Sequence, residues 1–267
     1  MDILIMKIGG SIQDKLPESF YKTIAHLQQT KKCYPVIVHG GGPMINDLLK
    51  KLDIPTTFIN GLRVTTTEVL QVVEMVLSGS INNEIVTQCQ IQQLQAIGLS
   101  GIDHGLLKVI PIQTTEAIGF VGEVTEVNTD FLMNLLENNV IPVISPIGMD
   151  ETGQHYNVNG DMAASAVAKA LGGKLAFISN VPGVMKRKKN ELKIYSSLTK
   201  GEAEQLIKDE IITDGMIPKV RSAIGSLSIQ MKQAVILNGL EPEDIASYLK
   251  GNQVGTKFVY KEEAAYV

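Results

Sequence analysis

Two short glycine turns carry the first chemical signal in the chain. Lys7-Ile8-Gly9-Gly10-Ser11 follows the apolar run Ile3-Leu4-Ile5-Met6, and Gly40-Gly41-Gly42 follows Val36-Ile37-Val38. Glycines let the backbone approach a ligand closely, and N–H groups at a helix start favour an anion. Either turn alone serves equally well as a plain joint between strand and helix. Two together, one of them holding Lys7, favour an anion site. A third cluster is Asn157-Val158-Asn159-Gly160-Asp161. If extended, it would put Asn157, Asn159 and Asp161 on one side. Asp161 directly precedes an apolar helical stretch, so its simplest role is an N-cap. Lys219 follows Pro218 at a predicted helix start. A lone lysine there is most simply a solvated charge.

Other chemistries are disfavoured. The chain has no G-x-x-x-x-G-K-[ST] and no G-x-G-x-x-G, which argues against a P-loop and the usual dinucleotide fold. No Ser-His-Asp or Cys-His pattern stands out. Cys33 and Cys89 are far apart and in no metal-ligand spacing; both fall in segments that read as helical, as buried thiols. Lys and Arg total 24 against 28 Asp and Glu, a net charge of -4. Proteins that neutralise many nucleic-acid phosphates usually show the opposite balance, so no nucleic-acid partner is expected. The basic run Lys186-Arg187-Lys188-Lys189 reads as the tip of a solvated hairpin. No apolar run approaches the roughly 20 residues of a membrane span. The first residues enter an apolar strand with no basic leader, so a cytoplasmic protein is expected.

The elements that must position these residues follow a repeating pattern. A short apolar run leads to a glycine-bearing turn and then to a helical stretch. Strands are expected at 3–6, 36–38, 141–144, 175–179 and 234–237. Helices are expected near 17–29, from Pro43 onward, at 131–138, 162–171 and 241–250. Residues 66–97 read as helical throughout, with Ser78-Gly79-Ser80 as a kink or division. The 267 residues, 44% hydrophobic, suffice for a sizeable core. Alternating strands and helices predict an α/β fold: a three-layer sandwich with a central, mostly parallel sheet and helices on both faces. In such a sheet, ligands bind beyond the carboxyl ends of the strands, where both glycine turns would lie.

In this order, the pieces Lys7-Ile8-Gly9-Gly10-Ser11, His39-Gly40-Gly41-Gly42-Pro43, Asn60-Gly61-Leu62-Arg63, Asn157-Val158-Asn159-Gly160-Asp161 and Thr213-Asp214-Gly215-Met216 with Lys219 resemble the amino-acid kinase family. They span nearly the whole chain. Asn-Gly-Leu-Arg, Asn-Val-Asn-x-Asp and Asp-Gly-Met-x-x-Lys point within it to N-acetyl-L-glutamate as substrate. The resemblance implies transfer of the ATP γ-phosphoryl group to the substrate's side-chain carboxylate, a step of arginine biosynthesis. It implies one domain over 1–267. An amino-acid-binding and dimer lobe would run to about 172, and a nucleotide lobe from about 173. Mg²⁺ would be held mainly through ATP, with no protein metal site.

The resemblance also assigns roles. Gly41 and Gly42 would offer backbone N–H groups to the substrate, and Arg63 would grip its α-carboxylate. Asn157 and Asn159 would also contact it. Lys7 and Lys219 would stabilise the transferring phosphoryl group from opposite sides, and Asp161 would orient both lysines. Gly9, Gly10 and Ser11 would meet the ATP phosphates. The nucleotide would lie along Asn180, Val181, Pro182, Gly183, Val184 and Met185, and against Ile211, Ile212 and Thr213. The chain departs from the family's pattern at Asn180, where many relatives carry Asp, and at Gly160, where Ala is usual. Arginine-inhibited relatives have an extra N-terminal helix. The first strand here begins at residue 3, and strong arginine inhibition is not expected. A homodimer through the long helix is.

Overall fold

The structure is a computed structural model that describes residues 2–30, 33–188 and 191–261. β1 (Ile3–Ile8), α1 (Glu18–Gln29), β2 (Tyr34–His39) and α2 (Gly42–Lys51) form the first two strand–helix units. A hairpin of β3 (Phe58–Ile59) and β4 (Leu62–Arg63) precedes a long rod: α3 (Thr67–Glu74), a π-helical stretch (Met75–Ile81) and α4 (Asn82–Ile91). Then come β5 (Ala96–Ser100), β6 (Leu107–Pro111), β7 (Val121–Val127), α5 (Thr129–Glu137) and β8 (Ile141–Ser145). β9 (Ile147–Met149), β10 (His155–Val158) and α6 (Gly160–Leu171) close the first part. The second holds β11 (Lys174–Ser179), the hairpin β12 (Met185–Lys188) with β13 (Glu191–Ile194), β14 (Ser197–Thr199), α7 (Lys200–Lys208) and α8 (Met216–Ser226). It ends with β15 (Gln233–Asn238), α9 (Glu243–Leu249) and β16 (Thr256–Val259).

One sheet in the order β14-β16-β15-β11-β1-β2-β8-β5 runs through both parts. From β15 to β5 every pairing is parallel; β16 runs antiparallel to β15, with β14 parallel to β16. β1 sits near the middle, so both its faces are covered. Leu4, Met6 and Ile8 enter one core, shared with Phe20 and Ile24 of α1, Ile85 of α4 and Ile245 of α9. Ile3 and Ile5 enter the other, with Leu132 of α5, Val167 of α6 and Val220 and Ala223 of α8. Two-residue alternation along a strand divides these side chains between two layers of helices. The result is the three-layer sandwich. Each fully buried aliphatic side chain contributes about 1.5–3 kcal/mol.

Three expectations need correction. The helical reading of 66–97 fails at its end. α4 stops at Ile91, Gln93 takes φ 60, and Leu94 N–H returns to the Cys89 carbonyl. Ala96–Ser100 then pairs with β8. The Ser78-Gly79-Ser80 segment does not divide the rod but lies within the π-helical stretch. Cys33 is buried at the entrance to β2 rather than in a helix. Unforeseen was a small closed barrel of β6, β7, β9 and β10 beside the main sheet. The basic hairpin is present as β12 and β13; Lys189 at its tip lies outside the described residues.

Candidate active site

β1 and β2 are adjacent and parallel, with Ile8 opposite His39, so both glycine turns emerge side by side at the carboxyl end of the sheet. The contact between them explains two of the glycines. A Cβ on Gly10 would sit 2.9 Å from Gly41 Cα and 3.0 Å from the amide nitrogens of Gly41 and Gly42. A Cβ on Gly41 would overlap Ile81 and Leu77 of the π-helical stretch. His39, fully buried beneath the second turn, places Nδ1 3.2 Å from the Gly40 carbonyl and Nε2 3.1 Å from Asn82 Nδ2. Burial depresses its pKa to about 4, so it stays neutral. Its duty is to hold the turn.

Lys7, the penultimate residue of β1 before Ile8, sends its ammonium to Asp161 Oδ1 at 2.7 Å. The side chains are 17% and 23% exposed. The other oxygen of Asp161 accepts a hydrogen bond from Ser222 Oγ at 2.6 Å. Asp161 is not the N-cap of α6. That role belongs to Asn159, whose Oδ1 accepts from the N–H groups of Asp161 and Met162. β10 ends at Val158 and Asn159 is the last extended residue, so the alternation read from sequence stops two residues before Asp161 and the start of α6 aims the carboxylate. Lys219, in the first turns of α8, donates to Ser179 Oγ at 2.8 Å and to Asn180 Oδ1 at 3.0 Å. Asp161 thus meets Lys7 and not Lys219. Burial, and then the charge of Lys7, lower the Lys219 pKa.

Both lysines line one cavity of about 360 Å³, together with Gly9, Gly10, Ser11, Asp161, Ser179 and Asn180. A second cavity, of about 150 Å³, is lined by Phe58, Arg63, Asn157 and Asn159. Gly40, Gly41 and Gly42 line both. Arg63 reaches the second cavity from a tight hairpin. Asn60 and Gly61 both take positive φ, 51 and 82, as a two-residue hairpin turn requires. The guanidinium is buried and stacked 4.8 Å over the Phe58 ring, and its Nη2 donates to Asn46 Oδ1 at 2.6 Å. Among the described residues, its buried Nη1 has no hydrogen-bond partner. Asn157 Nδ2 donates to Thr65 Oγ1 at 3.1 Å.

The nucleotide residues are spread more widely. Asn180 borders the lysine cavity. Val184 and Ile212 bury their side chains in the second core, and Val184 N–H donates to Thr256 Oγ1 at 2.8 Å. Gly183 takes φ 140, where a Cβ would meet Thr256 Oγ1 at 2.5 Å. Val181, Pro182 and Met185 are half-buried, while Ile211 and Thr213 are exposed. Asn46, Ser179 and Ser222 were not read from the sequence. The available signal for Ser222 was its position three residues after Lys219 on one helix. For Asn46 it was a polar residue one turn beyond the glycine-to-helix junction.

The sequence profile of the amino acid kinase family matches residues 2–238, and the chain belongs to that family. Within it, the chain is similar to the acetylglutamate kinase of Oceanobacillus iheyensis: 47% identical over 262 residues, 98% of each chain. Among solved structures it is similar to smu.665 from Streptococcus mutans UA159, at TM-score 0.81 and 28% identity, covering 97% of this chain and 99% of that one. Carbamate kinase from Giardia lamblia bound to AMP-PNP shares the fold at TM-score 0.64 and 16% identity, over 97% and 99% of the two chains.

Proposed function

We propose that the chain is an acetylglutamate kinase, moving the ATP γ-phosphoryl group to the side-chain carboxylate of N-acetyl-L-glutamate. The observation that carries this reading is the shared wall of the two cavities. One holds two lysines, the other a buried arginine with an unpaired Nη1, and the Gly40–Gly42 turn lies between them. An acidic amino acid held by Arg63 at its α-carboxylate would extend its side chain along that turn toward the lysines. Phosphoryl transfer between two anions needs positioning and charge neutralisation more than covalent help. Lys7, Lys219 and the glycine-turn N–H groups supply both.

In this reading Gly41, Gly42, Arg63, Asn157 and Asn159 face the amino acid. Gly9, Gly10 and Ser11 face the ATP phosphates. The purine and ribose lie along 180–185 and 211–213, on the lobe from about 173 onward. Both oxygens of Asp161 are already engaged, by Lys7 and Ser222. That leaves Asp161 little free to ligate a metal, and Mg²⁺ would be held mainly by ATP oxygens and water. Arginine biosynthesis is the pathway this activity serves. A homodimer through the α3–α4 rod is part of the proposal; Met75 on that rod is 56% exposed. No described helix is long and apolar enough to cross a membrane.

The test is a kinase assay across acetylglutamate, glutamate, aspartate, carbamate and UMP. Acetylglutamate should be the preferred acceptor by kcat/KM. Preferred turnover of carbamate or UMP would sink the reading, since neither has an α-carboxylate for Arg63.

A further inference from the structure

We infer that Ser222 is a positioning residue that sets the Lys219 helix against Lys7 by way of Asp161. The inference rests on the phosphoryl-transfer reading above. Three elements meet at one carboxylate: Lys7 from β1, Asp161 from α6 and Ser222 from α8. Oδ1 takes the Lys7 ammonium at 2.7 Å and Oδ2 the Ser222 hydroxyl at 2.6 Å. The first contact is an ion pair; the second is a charge-assisted hydrogen bond, which also fixes direction. Lys219 and Ser222 are three residues apart on α8, so they lie on one face of the helix. A carboxylate anchored to Lys7 therefore holds the same helix face that presents Lys219.

The start of α8 needs such a restraint. Its N-cap, Gly215, makes no side-chain cap, and Asp214 just before it takes φ 47. Among the described residues, Lys219 itself has only neutral partners, Ser179 and Asn180. Misplacing a reacting group by about 1 Å can cost about 10²-fold in rate. The simpler role for Ser222 would be to satisfy a carboxylate oxygen. Solvent can do that here, because Asp161 is 23% exposed and both residues line a cavity of about 700 Å³ between β7, α6 and α8. Loss of the hydroxyl should therefore spare stability and disturb position. The same cavity leaves room for the extra methyl of threonine.

Steady-state kinetics of Ser222→Ala, Ser222→Thr, Asp161→Ala and the Asp161→Ala/Ser222→Ala double variant test this. Alanine is a better helix former than serine, so the first variant should fold with an unchanged melting temperature. Its kcat should fall about tenfold, with both KM values within about twofold of the parent. Threonine should recover kcat to within about threefold. Removing Ser222 from the Asp161→Ala background should cost nothing more, because the hydroxyl acts through that carboxylate. A Ser222→Ala kcat within about twofold of the parent overturns the proposal, as does a threonine variant no better than alanine. Multiplying losses in the double variant would overturn it too. If the parent prefers another acceptor, the substrate reading falls. The same comparison with that acceptor still decides the role of Ser222.

Discussion

Lys7 and Lys219 line one cavity but are held in opposite ways. Lys7 is neutralised by a carboxylate at 2.7 Å, in a pair less than a quarter exposed. Lys219 rests on a hydroxyl and a carboxamide oxygen, dipoles with no net charge. The Lys7–Asp161 pair is a fixed, nearly neutral frame. Among the described residues no carboxylate pairs with Lys219, and its lowered pKa reflects burial and then repulsion from Lys7. An arriving phosphate would relieve that repulsion. One lysine is built for geometry and the other for attraction, so their removal should not be equivalent.

The largest effect is expected from Lys7→Ala. It removes a donor and leaves Asp161 as an unpaired, largely buried negative charge beside two anionic reactants. Breaking one side of such a pair is more damaging than losing a neutral contact. Removing one transition-state donor typically costs 10²–10³ in kcat, so Lys7→Ala should fall near or beyond about 10³ and Lys219→Ala near about 10². Rapid-quench or coupled assays at saturating substrates would measure both. Near-normal kcat in both would remove the lysines from the chemistry, and equal losses would break the comparison between them.

Arg63→Ala asks whether the second cavity binds rather than reacts. Arg63 is stacked on Phe58 and held by Asn46, away from the lysines. Its loss should raise KM for acetylglutamate roughly tenfold or more and leave the ATP KM within about twofold. An unchanged acetylglutamate KM would take Arg63 out of the site.

The parts of this arrangement that were legible in the sequence share a physical cause. Strands buried on both faces read as unbroken apolar runs, and the glycines at their ends mark backbone contacts that no side chain survives, as at Gly10 and Gly41. Lys7 could be placed because it belongs to such a run. The barrel was not legible, because β9 and β10 are short and β6 and β7 leave several side chains exposed. Ser222 and Asn46 were not legible either. A polar residue within a helix carries no local mark beyond its spacing from a neighbouring motif, and its partner lies 61 or 17 positions away. The cap at the start of α6 was assigned two residues late, at Asp161 instead of Asn159. Asn and Asp serve equally well there, and only the fold puts Asn159 at the junction and turns Asp161 toward Lys7.

A further expected effect, on stability rather than rate, concerns the support beneath the Gly40 turn. Asn82 Nδ2 donates to the Val143 carbonyl at 2.9 Å and faces His39 Nε2, so Nε2 accepts and Nδ1 carries the proton toward Gly40. A second proton on the ring would meet an amide donor in a buried site. Burial first, and then the charge of Lys7, hold the folded pKa at about 4, against 6.5 for the free side chain. Between those values the unfolded chain binds a proton that the folded chain refuses, so stability rises with pH across the window. The contribution of His39 is complete above 6.5 and is lost as pH falls toward 4. The full span is worth roughly 3 kcal/mol at about 1.4 kcal/mol per pKa unit. Carboxylates titrate in the same range, so the parent must be compared with His39→Gln. Urea midpoints measured from pH 7 down to 4.5 should fall more steeply in the parent than in the variant. Parallel curves would mean that His39 is protonated in the fold and that the glycine turn is held in another way.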